Sequence, residues 1–278
     1  QSPLAITFSA SLLLSLVARL GCVTNRDGML YVNTAEAYLE GGFTAAKALF
    51  GWPFLPIAMA YTSRITGLAI EDAGYLLNAL FMAGACALMV ACIQRKIPEL
   101  AWISCLTVVA LPGFNEYRNE LLREFGCWFF VMLSIWLALR WDERPNWRGA
   151  FSIQIALFLA ALFRPEALTL YAAVIGWQFF AKEQRWRRLA MIGTLPTLGG
   201  VILVILYLSG QLGDGRLANE FSRISLTRFN EKASVLAEGL ISYAHPNAPS
   251  ILLFGSLALI PIKLIQKFGL FLIPLFFF

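Results

Sequence analysis

Between Ser2 and Ser209 the chain keeps returning to helix-length stretches with hardly a charge, each cut off by a short turn of arginines, glycines or prolines. Such runs lie at Ser2–Leu20, Ala73–Ile93, Leu100–Pro112, Phe125–Trp141, Ala150–Phe163, Ala167–Phe180, Leu189–Ser209 and Ile251–Leu264, and Phe268–Phe278 opens another. A helix needs about 20 apolar residues to cross a bilayer, whereas a barrel strand shows about ten residues of alternating character. The alternation is missing here, which leaves helices that satisfy their own backbone groups. Composition agrees, with 59% hydrophobic and 14% charged residues against about a quarter charged in soluble domains. The expected fold is therefore all-α, a polytopic transmembrane protein with residues 1–278 as a single transmembrane domain.

Ser2–Leu20 lacks the small-residue cleavage site of a signal peptide and reads as a retained first span. The chain starts at Gln1 without a methionine and stops inside LFLIPLFFF. Both ends read as cut, so the sequence is expected to be the N-terminal part of a longer protein. Cys22, Cys86, Cys92, Cys105 and Cys127 show no metal-ligand spacing and read as free thiols in or beside the spans.

Charge gives the orientation. The turns at Gln94–Glu99, Arg140–Arg148 and Lys182–Arg188, with Lys263 and Lys267, hold eleven Lys/Arg against four acids, while the remaining loops hold eleven against thirteen. The basic side is expected to be cytoplasmic, so the excess of positive charge reports topology and not nucleic-acid binding. The opposite, extracytoplasmic side receives Gly21–Asp72, Gly113–Glu124, Arg164–Glu166 and the long loop 210–250. In that long loop Phe221, Ile224 and Phe229 stand among Arg216, Arg223, Arg228 and Lys232. Such a segment suits either the membrane surface or packing over the other loops.

The first of these loops, residues 21–72, carries Asp27 and then Tyr31, Ala35 and Leu39 at steps of four, which predicts a short helix after Gly28. Asp27 is expected at its mouth, as an N-cap or as a carboxylate held by the helix dipole. Arg26 beside it suits a surface anchor, and Glu36 and Glu40 a solvated edge. Trp52–Leu68, broken by Pro53 and Pro56, predicts a second helix lying in the interface. In the loop GFNEYRNELLREF a helix would put Glu116, Glu120 and Glu124 on one side with Arg118 and Arg123 nearby, either as mutual ion pairs or as an anion site. Arg164 and Glu166 flank Pro165 with almost no loop between two spans. The planar fork of Arg164 suits a phosphate, or else the head-group region. His245, the lone histidine, stands in a turn and cannot build a familiar metal site.

RDGMLYVNTAEAYLEGG, then GWPFLPIAMAYTSRITG, then a span containing Asn78 resembles the N-terminal half of integral-membrane glycosyltransferases of the GT-C fold. The likeness is greatest to the bacterial branch related to protein O-mannosyltransferases and lipid A aminoarabinose transferases. It covers Ser2–Phe180 in layout and Arg26–Gly67 in motif. It implies two juxtamembrane helices in the first extracytoplasmic loop. It also implies an enzyme of the plasma membrane, the bacterial inner membrane, that moves a sugar from a polyprenyl-phosphate donor to a glycan, lipid or protein acceptor, with inversion. On that likeness Asp27 takes the place of the family aspartate that orients or deprotonates the acceptor. Arg118 or Arg123 resembles the basic residues that hold the lipid phosphate, and Arg164 is a further candidate. Arg26, Tyr31, Glu116, Glu120 and Glu166 are candidate substrate contacts. Many relatives carry two adjacent acids where this chain has Arg26 before Asp27. Neither a cofactor nor a metal is implied, since the donor supplies the activated bond, and no Gly-rich phosphate loop is present. A transporter or flippase for a lipid-linked or anionic solute is the alternative from another class, although charges here collect at one face rather than mid-span. A non-catalytic GT-C-like assembly subunit is the third reading.

Overall fold

The computed structural model describes residues 2–20, 23–111, 115–179 and 184–208. The loop 210–250, His245 and the apolar runs after it lie outside the described residues. The described residues are helical, without strands. In chain order the helices are α1 (Pro3–Arg19), α2 (Arg26–Leu49), α3 (Phe54–Thr66), α4 (Ile70–Lys96), α5 (Ala101–Ala110), α6 (Glu124–Glu143), α7 (Trp147–Phe163), α8 (Thr169–Phe179) and α9 (Arg185–Leu208). Two 3₁₀ turns, Pro98–Leu100 and Pro165–Leu168, introduce α5 and α8. The chain divides into one unit over residues 1–193 and another from Thr194 onward. All packing below is within the first.

Helices stand where the apolar runs between Ser2 and Ser209 place them. Among the described residues two are long and apolar enough to cross a membrane, α4 with 27 residues and α6 with 20. α4 is the centre: α1, α5, α6, α2 and α3 all pack on it, and α6 packs in turn along α7. Met82, Cys86 and Val90 of α4 meet Cys105 and Val108 of α5 and Phe125 of α6 in the core. On the far side of α6, Gly126 lets the Phe163 ring lie so close that a Cβ there would stand 2.3 Å from it. Phe163 itself is wedged against Phe54, Phe81 and Phe130.

The outward faces of α1 and α7 are strongly apolar. α1 buries Thr7, Ser11 and Ser15 and exposes Leu13, Leu16 and Val17, while α7 buries Gln154 and exposes Phe151, Ile155 and Phe158. At these positions polar residues are buried and large apolar ones face outward, an arrangement that packing in lipid favours.

Ion pairs sort by end. Arg19 pairs with Glu71 and Asp72, and Arg164 with Glu124 and Glu166, at the end where α1 finishes and α4 and α6 begin. Arg95–Glu143 and Arg188–Asp142 close the other end. These are the two faces into which the sequence divides its loops.

The first loop departs from expectation in one respect. α2 begins at Arg26, two residues before Gly28, and its N-cap is Asn25, so Asp27 is not the cap but lies in the first turn. The Asn25 side chain does not cap the helix but is engaged outside it: its Oδ1 accepts from the Leu121 backbone N–H at 3.1 Å, and its Nδ2 donates to Glu120 Oε2 at 3.5 Å. α2 also runs further than the motif suggests, bending at Gly42, where φ is 68° and ψ −159°. That backbone region is essentially confined to glycine. The bend folds the helix back, so that the Tyr31 and Phe50 rings meet at 5.5 Å between centroids. A straight helix rising about 1.5 Å per residue would hold them apart by almost 30 Å. α3 follows as the second short helix, and Tyr38 of α2 shares a 2.9 Å hydrogen bond with Tyr61 of α3.

Candidate functional site

The loop between α5 and α6 is not the continuous helix its spacing suggests. Asn115 and Glu116 are helical, 117–119 turn, and α6 starts at Glu124. Side chains from elsewhere take the place of the missing helical partners. The Asn119 carbonyl accepts from the Tyr75 hydroxyl, the Glu120 carbonyl from Asn78, and the Leu121 N–H donates to Asn25. Glu116, Glu120 and Glu124 therefore do not form one acidic edge. Glu116 is exposed, and Glu120 lies beside Asn25.

Arg118 is turned inward and only 4% exposed. Its Nε donates to Asn115 Oδ1 at 2.7 Å, and its Nη1 donates to the Ser11 carbonyl, Ser11 Oγ and Ser15 Oγ at 2.8–3.0 Å. Burial lowers the affinity of this guanidinium for its proton, with Cys86 acting in the opposite sense. In this arrangement it anchors the loop to α1, and the phosphate-binding candidates left facing the loop surface are Arg123 and Arg164.

Four of the sequence-selected residues, Asp27, Arg123, Glu124 and Arg164, lie close enough to act on the Tyr31 phenol. Asp27 is exposed on the first turn of α2, where the positive end of the helix favours a carboxylate. Tyr31 follows one turn later, its ring buried. The Tyr31 phenol is pushed up to about 12, first by burial; Glu124 and Asp27 add to the rise, while Arg123 and Arg164 act against it. Arg123 stands at the head of α6 with its guanidinium carbon 5.8 Å from the Phe50 ring centroid. It makes no ion pair among the described residues.

Arg164 is differently placed. Its Nη1 donates to Glu124 Oε1 at 2.7 Å and its Nε to Glu166 Oε2 at 3.3 Å. Burial alone would lower its pKa, but the Glu166 bond and the Glu124 charge more than reverse that. Two carboxylates thus neutralise Arg164, whereas Arg123 makes no ion pair among the described residues. Arg26 is exposed beside Asp27, without a hydrogen bond or ion pair among the described residues.

Two participants, Phe50 and Asn25, escaped the sequence reading. Phe50 reaches Tyr31 only because of the bend at Gly42. Glu124, read with the arginines of its own loop, pairs instead with Arg164. Asn25 would be found only by asking what caps a helix that begins at Arg26. A clasp behind it fixes the approach to the site: Arg19 and Thr24 both bond Glu71, and the Tyr75 hydroxyl reaches Thr24 Oγ1 at 3.4 Å.

The phenol gives a first testable consequence. Its proton is held more tightly in the fold than in the unfolded chain, so its contribution to stability is complete below about pH 10 and is lost as pH rises toward about 12. The thermal midpoint of the wild type should fall more steeply between pH 10 and 12 than that of Tyr31→Phe. Parallel curves would mean that the phenol titrates as an ordinary one.

A carboxylate exposed at a helix start, a neutral phenol and an unpaired guanidinium therefore share one end of the bundle. This set can accept a proton, donate a hydrogen bond and hold an anion. Among the described residues no group of three or more His, Cys, Asp or Glu is placed to hold a metal ion. No family model matches the chain, and neither the curated proteins nor the solved structures contain a match to it.

Proposed function

We propose that the chain is an integral-membrane glycosyltransferase that moves a sugar from a polyprenyl-phosphate donor to an acceptor hydroxyl or amine on the extracytoplasmic face of a bacterial inner membrane. The lengths of α4 and α6 and the outward apolar faces of α1 and α7 support a multi-pass, GT-C-like fold. The basic turns at the opposite end support the orientation.

The observation that carries the reading is the placing of Asp27 and Arg123 about the buried Tyr31 ring. In the proposed reaction Asp27 accepts the proton of the acceptor as its oxygen or nitrogen attacks the anomeric carbon. The bond from that carbon to the phosphate oxygen breaks, and the polyprenyl phosphate leaves with the electron pair. Arg123 and the Tyr31 hydroxyl stabilise the charge that develops on it. Arg164, tied to Glu124 and Glu166, positions the wall of the site. A single displacement inverts the anomeric centre.

The test is an assay of the purified full chain with a panel of polyprenyl-phosphate sugars. Release of polyprenyl phosphate matched by glycosylated acceptor is expected for at least one donor. Donor binding without release across the panel would favour a transporter or an assembly subunit.

A further inference from the structure

At the end of the bundle opposite Asp27, two turns are fastened together. Arg188 of α9 donates from Nη1 to Asp142 Oδ1 at 2.6 Å and from Nη2 to the Asp142 carbonyl at 3.2 Å. Gln154 Nε2 of α7 donates to the Met191 carbonyl at 2.9 Å. The α6–α7 turn and the start of α9 are thereby held side by side. The local acids are occupied, Asp142 by Arg188 and Glu143 by Arg95. In the α6–α7 turn and at the start of α9, Arg144, Arg148, Arg185 and Arg187 are all exposed and none is in an ion pair among the described residues.

Two tryptophans stand out among these arginines, Trp147 at 58% and Trp186 at 71% exposure, with the Arg185 guanidinium 5.3 Å from the Trp186 ring centroid. From Trp147 an exposed apolar stripe climbs α7 through Phe151, Ile155 and Phe158 at helical spacing. A cluster of cationic forks at the foot of a hydrophobic stripe, with indoles at the junction, matches a molecule that has a phosphate at one end and a hydrocarbon chain at the other.

We propose that this surface is a docking site for an anionic phospholipid. Arg144, Arg148, Arg185 and Arg187 take the head group, and the α7 stripe takes an acyl chain. The site is separate from the transferase reading and does not depend on it.

The test uses the full chain released in mild detergent, with bound lipid counted by native mass spectrometry. Phosphatidylglycerol should bind at least tenfold more tightly than phosphatidylcholine. Replacing all four arginines by glutamine (R144Q, R148Q, R185Q, R187Q), with Asp142 and Arg188 left intact, should erase that preference, and lysine at the same four positions should keep much of it. Each basic residue near a charged bilayer contributes roughly fivefold, so the combined loss over four arginines should reach several hundredfold. Equal affinity of the wild type for the two lipids would overturn the proposal, as would a preference that survives the four glutamines. Glycerol phosphate, which has no acyl chains, should not compete at equal concentration. If it displaces the lipid as well as phosphatidylglycerol does, the site takes a soluble anion and the lipid assignment falls. These wild-type comparisons decide the matter even if the variant fails to fold.

Discussion

Asp27→Asn is expected to lower sugar transfer by about 10²–10⁴-fold while leaving the thermal midpoint and donor binding unchanged. The amide keeps the size and hydrogen-bonding reach of the carboxylate but cannot take up a proton at neutral pH. Asp27 is exposed and makes no hydrogen bond or ion pair among the described residues, so little folding energy rides on it. A drop in rate without a drop in stability therefore separates proton transfer from scaffolding. Turnover that persists in the variant would remove Asp27 from the reaction. Arg123→Ala serves as the companion measurement, since it should weaken donor binding where Asp27→Asn does not.

Gly28→Ala is expected to cost about 1–3 kcal/mol of stability and to reduce activity as well. A Cβ on residue 28 would stand 2.6 Å from Asn25 Oδ1, 2.6 Å from Thr24 Cγ2 and 2.9 Å from Leu121 Cβ. None of these neighbours is a free side-chain end. Asn25 is bonded to Leu121, Thr24 to Glu71, and Leu121 is fully buried. The methyl group would therefore push the Asp27 turn away from the loop that leads to Arg123. Thr24→Ser removes the crowding methyl and keeps the hydroxyl for Glu71. The double variant should recover part of the loss, giving a favourable coupling in a double-mutant cycle. Additive losses would show that the three groups do not share one packed contact.

What the sequence discloses, and what it conceals, follows from the range of the forces involved. Apolar runs and basic turns are local, so helix positions and the two charged ends could be read directly from them. The bend at Gly42 is local too, yet a glycine in the GG pair of a helix-like stretch gives no sign that it will take a left-handed φ. The loop 115–123 misleads for a different reason. Its four-residue spacing of glutamates is real, but Asn25, Tyr75 and Asn78 lie 40 residues or more away and take the backbone groups that a helix would have used. Arg118 likewise reads as an ion-pair partner or a phosphate ligand until Ser11 and Ser15 of α1 are seen to receive it. Asp27, Tyr31 and Arg123 could be chosen from their types and places, but the separation of Arg123 from the ion-paired Arg164 needed the contacts of Glu124.

Position 42 is where room and tolerance part company. Nothing lies within 4 Å of where a side chain on Gly42 would begin, so a survey of free volume would rank it among the most permissive sites in the first loop. The constraint is torsional: alanine would have to unbend the elbow or bear a conformation that L-residues scarcely visit. The expected signature of Gly42→Ala is a local detachment of Phe50 from Tyr31, seen as faster amide exchange in residues 43–50 with the α4–α6 core still protected. Through that bend a residue without a side chain keeps the Phe50 ring packed on the phenol.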